Sequence, residues 1–243
     1  MTLNTGWTWA KDLTDTQDVG SVAGPVIQNQ FDRRAEEGNN GVVVTHRVFG
    51  YAVWTLPFGQ GQRFLSHQNR VVEALFGGWS TALNFVTQSG LFYTPSFDGF
   101  DTSNTNTFGG RPDVIGNPNL SSSRSISQWF NINAFAIPGC PASQPVCQNP
   151  ANVGRFGNVG VNTLRGPGMV NLDFALTKDF KVTEKIRLQF RANATNLLNH
   201  TNFSIPDSDI SDVGNVGNIF GTVRAQLGQP APRVVNLMLR FKF

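Results

Sequence analysis

The sequence has little charge and no long apolar run. Asp, Glu, Lys and Arg make up 14% of its 243 residues, against roughly 25% in ordinary soluble domains. No segment approaches the roughly 18 consecutive apolar residues that a membrane-spanning helix requires, so such helices are excluded. The mean hydropathy of -0.19 does not exclude membrane-spanning strands, because only alternate residues of such a strand face lipid.

Catalytic and cofactor signatures are also missing. The sequence has no G-x-S-x-G, H-E-x-x-H or phosphate-loop motif, and its three histidines, His46, His67 and His200, lie in separate segments. Asp207, Asp209 and Asp212 do not have the spacing of a calcium loop. We therefore expect no enzyme activity, no cofactor and no metal site. The net charge of +3 is small and dispersed, which argues against a nucleic-acid partner.

Cysteine is scarce, and both cysteines lie in one proline-rich segment. Cys140 and Cys147 are close enough in sequence for a disulfide that closes a small loop, and such a bond indicates an oxidising compartment. Two unpaired loop thiols are the alternative. The first residues have neither the basic nor the apolar region of a signal peptide, so we expect a truncated chain.

Turn residues and alternating apolar residues are abundant, which predicts an all-β fold. The last segment alternates most clearly. One side of a strand would carry Val235, Leu237, Leu239, Phe241 and Phe243, and the other would carry Asn236, Met238, Arg240 and Lys242. A soluble β-sandwich and a membrane barrel can both use such a strand.

A second segment, 186–195, repeats this pattern. Its apolar side contains Ile186, Leu188 and Phe190, and its polar side contains Arg187, Gln189, Arg191 and Asn193. A water-filled barrel lumen accommodates this polar side, as does an ordinary solvent-facing surface. The segment 170–180 alternates in the same way, and the short link 181–185 predicts a hairpin.

The same reading along the whole chain predicts six long strands, at about 2–12, 44–57, 78–95, 169–180, 185–197 and 233–243, with a short helical turn over 71–76. The connections 13–43, 96–168 and 198–232 are long, whereas 58–77 and 181–184 are shorter. Outer-membrane barrels have short periplasmic turns and long external loops. If residue 243 is periplasmic, all three long connections are external.

Several ordered motifs resemble the C-terminal part of the barrel of a TonB-dependent outer-membrane receptor of the Oar-like kind. They run through nearly the whole chain: Trp7-Thr-Trp-Ala-Lys11, His46-Arg47, Leu56-Pro-Phe-Gly59, Gly77-Gly-Trp79, Gln88-Ser-Gly-Leu91, Thr94-Pro95, Arg111-Pro-Asp113, Trp129-Phe-Asn131, Ala134-Phe135, Asn162-Thr-Leu-Arg-Gly-Pro-Gly168, Asn171-Leu-Asp173, Leu188-Gln-Phe-Arg191, Asn196-Leu-Leu-Asn199 and Asn202-Phe203. The aromatic residue at 243 is similar to the signal by which such barrels are passed to the barrel-assembly machinery.

This resemblance implies a larger protein with about 22 strands, a plug domain and a segment that engages TonB, none of which is present in this sequence. It implies that the six strands are a barrel fragment in the outer membrane of a Gram-negative bacterium, with lipid, the rest of the receptor and an unidentified ligand as partners. Two alternatives remain at this point. One is a related outer-membrane barrel for adhesion or export, and the other is a soluble secreted β-sandwich that binds a ligand, such as a carbohydrate, through its loops.

Overall fold

A computed structural model describes residues 1–15, 27–67, 69–120, 123–141, 147, 149–181, 183, 186–223 and 232–243. In this part of the chain there are twelve strands, one α-helix and one 3-10 helix, Ile132–Ala134. The α-helix, α1, is Arg70–Phe76. The strands are β1 Thr2–Trp9, β2 Leu13–Thr14, β3 Gly38–Asn39, β4 His46–Thr55, β5 Trp79–Gln88, β6 Phe92–Tyr93, β7 Asp113–Val114, β8 Phe135–Ala136, β9 Leu164–Arg165, β10 Met169–Lys181, β11 Arg187–Thr195 and β12 Val234–Lys242.

The six long strands form one antiparallel sheet in the order β1-β4-β5-β10-β11-β12. Each long strand therefore pairs with the next long strand along the chain, as in a meander. The six predicted strands are confirmed, and so is the short helix. Among the described strands, β1 and β12 each have one neighbour, so the sheet is open.

The register places the connections at two ends of the sheet. Thr2 pairs with Val53, and Arg187 pairs with Lys242. The first and last residues therefore lie at the same end as the connections 56–78 and 182–186. The connections 10–45, 89–168 and 196–233 lie at the opposite end. We call these the short-connection end and the long-connection end.

The fifth strand is shorter than its alternation predicts, because β5 ends at Gln88 rather than near residue 95. At Gly90 the chain passes so close to another backbone segment that an added Cβ would lie 1.9 Å from the Gly166 carbonyl oxygen. The chain then forms a separate two-residue ladder in which Phe92 pairs with Arg165 and Tyr93 with Leu164. Of the predicted hairpin link, residues 182, 184 and 185 lie outside the described part.

The main hydrophobic core lies in the long connections and not in the sheet. Its fully buried members come from the segments 92–97, 130–137, 159–164 and residue 210. We call the described residues of 27–45, 89–168 and 196–223 the loop cap. The second and third long connections thus share one core at a single end of the sheet. The core residues are Tyr93, Phe97, Phe130, Ala134, Phe135, Ile137, Val159, Leu164 and Ile210.

Candidate functional site

One side of the six-stranded sheet is apolar, and we call it the apolar side. The register aligns the alternate residues of neighbouring strands, for example Leu188 with Phe241 and Phe190 with Leu239. Several of these side chains are open to their surroundings: Trp9 is 60% exposed and Leu237 is 70% exposed. The apolar side comprises Leu3, Thr5, Trp7, Trp9, His46, Val48, Gly50, Ala52, Trp54, Trp79, Thr81, Leu83, Phe85, Thr87, Val170, Leu172, Phe174, Leu176, Lys178, Phe180, Leu188, Phe190, Ala192, Ala194, Val235, Leu237, Leu239 and Phe241.

Four tryptophans lie on the apolar side in two rows. Trp7 and Trp9 are close to the long-connection end, and Trp54 and Trp79 are close to the short-connection end. His46 is the partner of Trp9, and β4 rises by about 26 Å from His46 to Trp54. For strands tilted by about 40°, this rise corresponds to about 20 Å along the membrane normal. Membrane barrels carry an apolar band of about 25 Å between two aromatic girdles. The tryptophan spacing approximates that dimension.

The opposite side of β10, β11 and β12 is polar, and we call this face of the whole sheet the polar side. The predicted residues Arg187, Gln189, Arg191 and Asn193 share it with Asn236, Met238, Arg240 and Lys242 across the β11–β12 pair. Two hydrogen bonds link its side chains: the Gln189 amide donates to Asp179 over 2.9 Å and Arg191 donates to Asn193 over 2.7 Å.

The polar side becomes apolar at β4, which the alternation in sequence does not predict. Phe49, Tyr51 and Val53 lie on it and are 42–47% exposed. The Phe49 ring covers the paired Gly6, where an added Cβ would lie 2.7 Å from the ring. An open cleft of about 440 Å³ lies beside Phe49 at the long-connection end. Its lining residues are Thr8, Ala10, Val43, Val44, Arg47 and Phe49.

A buried ion pair holds the first long connection to the second. Arg111 and Glu36 have side chains that are 2% and 3% exposed, and their closest oxygen–nitrogen distance is 2.5 Å. Arg111 also donates to the carbonyls of Val159 and Ala35. Its backbone N–H donates to the Gln28 side chain. The Arg111 guanidinium therefore has partners on both connections, which satisfies a charge that would otherwise be costly to bury.

Two asparagines hold other parts of the loop cap. Asn162, with a left-handed φ of 52°, exchanges hydrogen bonds with the Thr94 hydroxyl and with the backbone and side chain of Asn39. The side-chain amide of Asn202 pairs with the backbone of Val170 as a neighbouring strand does: it accepts a hydrogen bond from the Val170 N–H and donates one to the Val170 carbonyl. Several of the sequence motifs thus contain the residues that anchor the loop cap.

The predicted cysteine pair lies in the same assembly. The structure joins Cys140 and Cys147 by a disulfide with a Cα–Cα distance of 5.9 Å. Cys140 packs against the core of the loop cap. Within that core, burial raises the pKa of Tyr93 well above its ordinary value. The Tyr93 hydroxyl has no hydrogen-bond partner among the described residues.

One charged side chain, that of Lys178, lies on the apolar side. Lys178 is 3% exposed, and its ammonium donates to the carbonyl oxygen of Gly77 just after α1. The same nitrogen lies 4.9 Å from the centre of the Trp79 ring and 4.8 Å from that of Phe180. A cation is stabilised over aromatic faces at such distances. The period-2 pattern alone does not predict this arrangement.

The family follows from a sequence comparison. The family described as "Outer membrane beta barrel domain" matches residues 1–235. The chain belongs to this family. Neither a curated protein nor a solved structure matches the chain. Membership of the outer membrane beta barrel family agrees with the open antiparallel meander and places the protein in the outer membrane.

Family membership also decides between the fold alternatives. A β-sandwich would cover the apolar side with a second sheet, whereas Leu3, Trp7 and Leu237 are at least 60% exposed. The soluble sandwich is therefore excluded. Within the described residues, no helix is long and apolar enough to cross a bilayer. The same residues include no group of three or more acidic, histidine or cysteine side chains arranged to hold a metal ion.

Proposed function

We propose that this chain is a wall of the barrel of a TonB-dependent receptor and that the whole receptor takes up an unidentified ligand. In this proposal the apolar side faces lipid and the polar side faces the lumen. The long-connection end is external, because external loops of such barrels are long and periplasmic turns are short. The terminal strand, with Val235, Leu237, Leu239, Phe241 and Phe243, serves as the signal for the barrel-assembly machinery.

The folded loop cap is the observation that carries the proposal. A passive pore requires an open mouth, whereas a receptor gains affinity from a surface that is already ordered before its ligand arrives. Here the second and third long connections share one buried core, and a buried ion pair joins the first connection to the second. The cleft beside Arg47 and Phe49 opens at this end of the polar side. These features support ligand capture at the external mouth of a lumen.

The unpaired edges support a larger barrel. Among the described strands, β1 and β12 each pair on one edge only, and open sheet edges in lipid leave backbone groups unpaired at several kcal/mol each. Further strands of the same receptor would satisfy both edges. Uptake through such a barrel makes and breaks no bond in the ligand, so the proposal involves neither an enzyme activity nor a cofactor.

Binding to TonB tests the proposal directly. The receptor that contains this chain would be purified from native outer membranes in detergent and titrated with the purified periplasmic domain of TonB. We expect a saturable complex, and planar-bilayer recordings with no steady conductance because a plug fills the lumen. Absence of binding together with a permanently open pore would contradict TonB-dependent uptake and favour an adhesion or export barrel.

A further inference from the structure

The connection 56–78 has an apolar surface beyond the end of the sheet. In α1, Val71, Leu75 and Phe76 are 67%, 60% and 55% exposed. Phe58 and Phe64, whose rings are 5.7 Å apart, are 40% and 48% exposed. Exposed apolar residues are common one at a time, but a group of five large ones in one connection indicates a contact surface.

Two polar side chains of this connection accept hydrogen bonds from its own backbone. Glu73 is half-buried, and its carboxylate accepts a hydrogen bond from the backbone of Gln60 over 2.6 Å. Asn69 caps the start of α1 by accepting from the backbone of Val72. The short helix is therefore held by its polar groups on one side and leaves its apolar side chains open on the other.

Side chains of the apolar side of the sheet hold the end of α1. The Trp79 indole N–H donates to the Leu75 carbonyl over 2.9 Å. The Lys178 ammonium donates to the Gly77 carbonyl. Both Trp79 and Lys178 lie on the apolar side, where they are paired across β5 and β10. The exposed apolar surface of α1 is thus anchored to the apolar side of the sheet.

We infer that α1 is an interfacial helix that rests in the lipid leaflet at the short-connection end. Its apolar side chains enter the boundary between acyl chains and headgroups, as in other amphipathic helices that lie on membranes. Arg63 and Arg70 are exposed and supply positive charge there, which complements anionic phospholipid headgroups. The occupant of this surface is phospholipid, because the surface continues the apolar side of an outer-membrane sheet.

Lys178 has a defined role in this arrangement. Its whole side chain is buried, and its ammonium donates to the carbonyl of Gly77, the C-cap of α1, between two aromatic rings. The carbonyl oxygen and the ring faces stabilise the charge without water. The lysine therefore ties β10 to the end of α1, where the sheet leaves the acyl region and α1 begins to rest on the leaflet.

Quenching of a fluorophore at Leu75 tests the inference. The full protein that carries the substitution Leu75→Cys would be labelled with a nitrobenzoxadiazole fluorophore without reductant, since both described native cysteines are in the disulfide. It would then be placed in phosphatidylethanolamine and phosphatidylglycerol vesicles that contain a spin-labelled phospholipid. We expect strong quenching by a nitroxide near the headgroup, weaker quenching by a deep nitroxide, and little quenching by aqueous iodide.

Two labelled controls calibrate the measurement. Gln62→Cys, in the same connection and exposed, should be quenched by iodide, and Leu237→Cys on β12 should be quenched by the deep nitroxide. If Leu75→Cys does not keep the heat-modifiable migration of a folded barrel, Val71→Cys replaces it, one turn earlier on the same exposed surface. Quenching of the helix label by iodide alone, or by no quencher, would overturn the inference in favour of an aqueous or protein-covered helix.

Discussion

The buried residues of the loop cap include charged and polar groups that are individually important. Arg111 and Glu36 are both almost fully buried and hydrogen-bonded to each other. Removing one member of such a pair leaves an uncompensated charge in a medium of low polarity. That loss typically costs about 3–5 kcal/mol, whereas an exposed ion pair contributes about 1 kcal/mol or less.

We predict that Glu36→Ala loosens the loop cap by about 3–5 kcal/mol. The change leaves the Arg111 guanidinium buried without its carboxylate. Trypsin should then cleave the long connections of the folded protein much faster than in the wild type. Asp15→Ala is the matched control, because the Arg33–Asp15 pair lies in the same connection but is exposed and the change removes no trypsin site. Equal cleavage rates for Glu36→Ala and Asp15→Ala would refute the anchoring role.

Tyr93, another buried residue of the loop cap, gives a second prediction. Burial raises the pKa of the Tyr93 hydroxyl, so the folded state favours the protonated phenol. The stability that the protonated Tyr93 contributes to the folded state is fully present below the pKa of an unfolded tyrosine, about 10, and is lost as the pH rises above that value. We therefore expect the protection of the loop cap against proteolysis to fall above about pH 10.

The variant Tyr93→Phe should remove this part of the pH dependence. It should leave stability near neutral pH unchanged or slightly higher, because the hydroxyl has no partner among the described residues and loses nothing when it is removed. Tyr51→Phe, at the other tyrosine of the chain, is the control and should keep the alkaline loss. An unaltered alkaline profile for Tyr93→Phe would contradict the assignment.

At the scale of whole elements, the two sides of each strand have different chemistry. Leu239 lies on the apolar side opposite Phe190, and the next residue back, Met238, lies on the polar side opposite Arg191. A charge on the lipid-facing side of a barrel strand costs about 2–4 kcal/mol near the bilayer midplane, whereas lumen positions tolerate charge. Adjacent residues of β12 should therefore respond very differently to one substitution.

We predict that Leu239→Arg impairs assembly of the full protein and that Met238→Arg does not. The expected cost at Leu239 is about 2–4 kcal/mol, and the readout is the fraction of protein with heat-modifiable migration in outer-membrane preparations. Met238 is 49% exposed on the polar side, so an arginine there keeps access to water. The assignment of sides fails if both variants assemble equally well.

The alternation in sequence was sufficient to predict the six strands, because it depends on side chains within each strand and not on contacts between distant segments. The aromatic patch around Phe49 and the ion pair Arg111–Glu36 could not be predicted. Phe49 belongs to the polar side only through its register with Gly6, and Arg111 and Glu36 are far apart in sequence. The early end of β5 likewise depends on Gly90 meeting Gly166 across a long loop.

The molecule as a whole combines an open sheet with a folded cap. The cap has a buried core of its own, whereas the sheet leaves large apolar residues exposed on one side, including Trp7, Trp9, Leu237 and Phe241 at 60–70%. An exposed apolar surface of this kind is stable in lipid or detergent and drives aggregation in water. The sheet therefore requires lipid or detergent, and we expect further strands to pair with its two edges.

We predict that residues 1–243 expressed alone do not form a stable monomeric pore. Within the described residues the two edge strands each lack a second neighbour and the apolar side is uncovered, so the product should aggregate without detergent. Light scattering and circular dichroism of detergent-free preparations check this expectation. A soluble monodisperse monomer with high β content and a cooperative melting transition would contradict it.

A nitroxide scan along β12 will show whether the apolar side of the sheet faces lipid. Single cysteines at 235–242 in the full protein would be spin-labelled after reconstitution into phospholipid vesicles, and collision with oxygen, which is concentrated in the acyl region, would be measured by electron paramagnetic resonance. We expect the collision rate to vary with a period of two residues, with maxima at Val235, Leu237, Leu239 and Phe241. A flat profile, or maxima at the even-numbered positions, would contradict it.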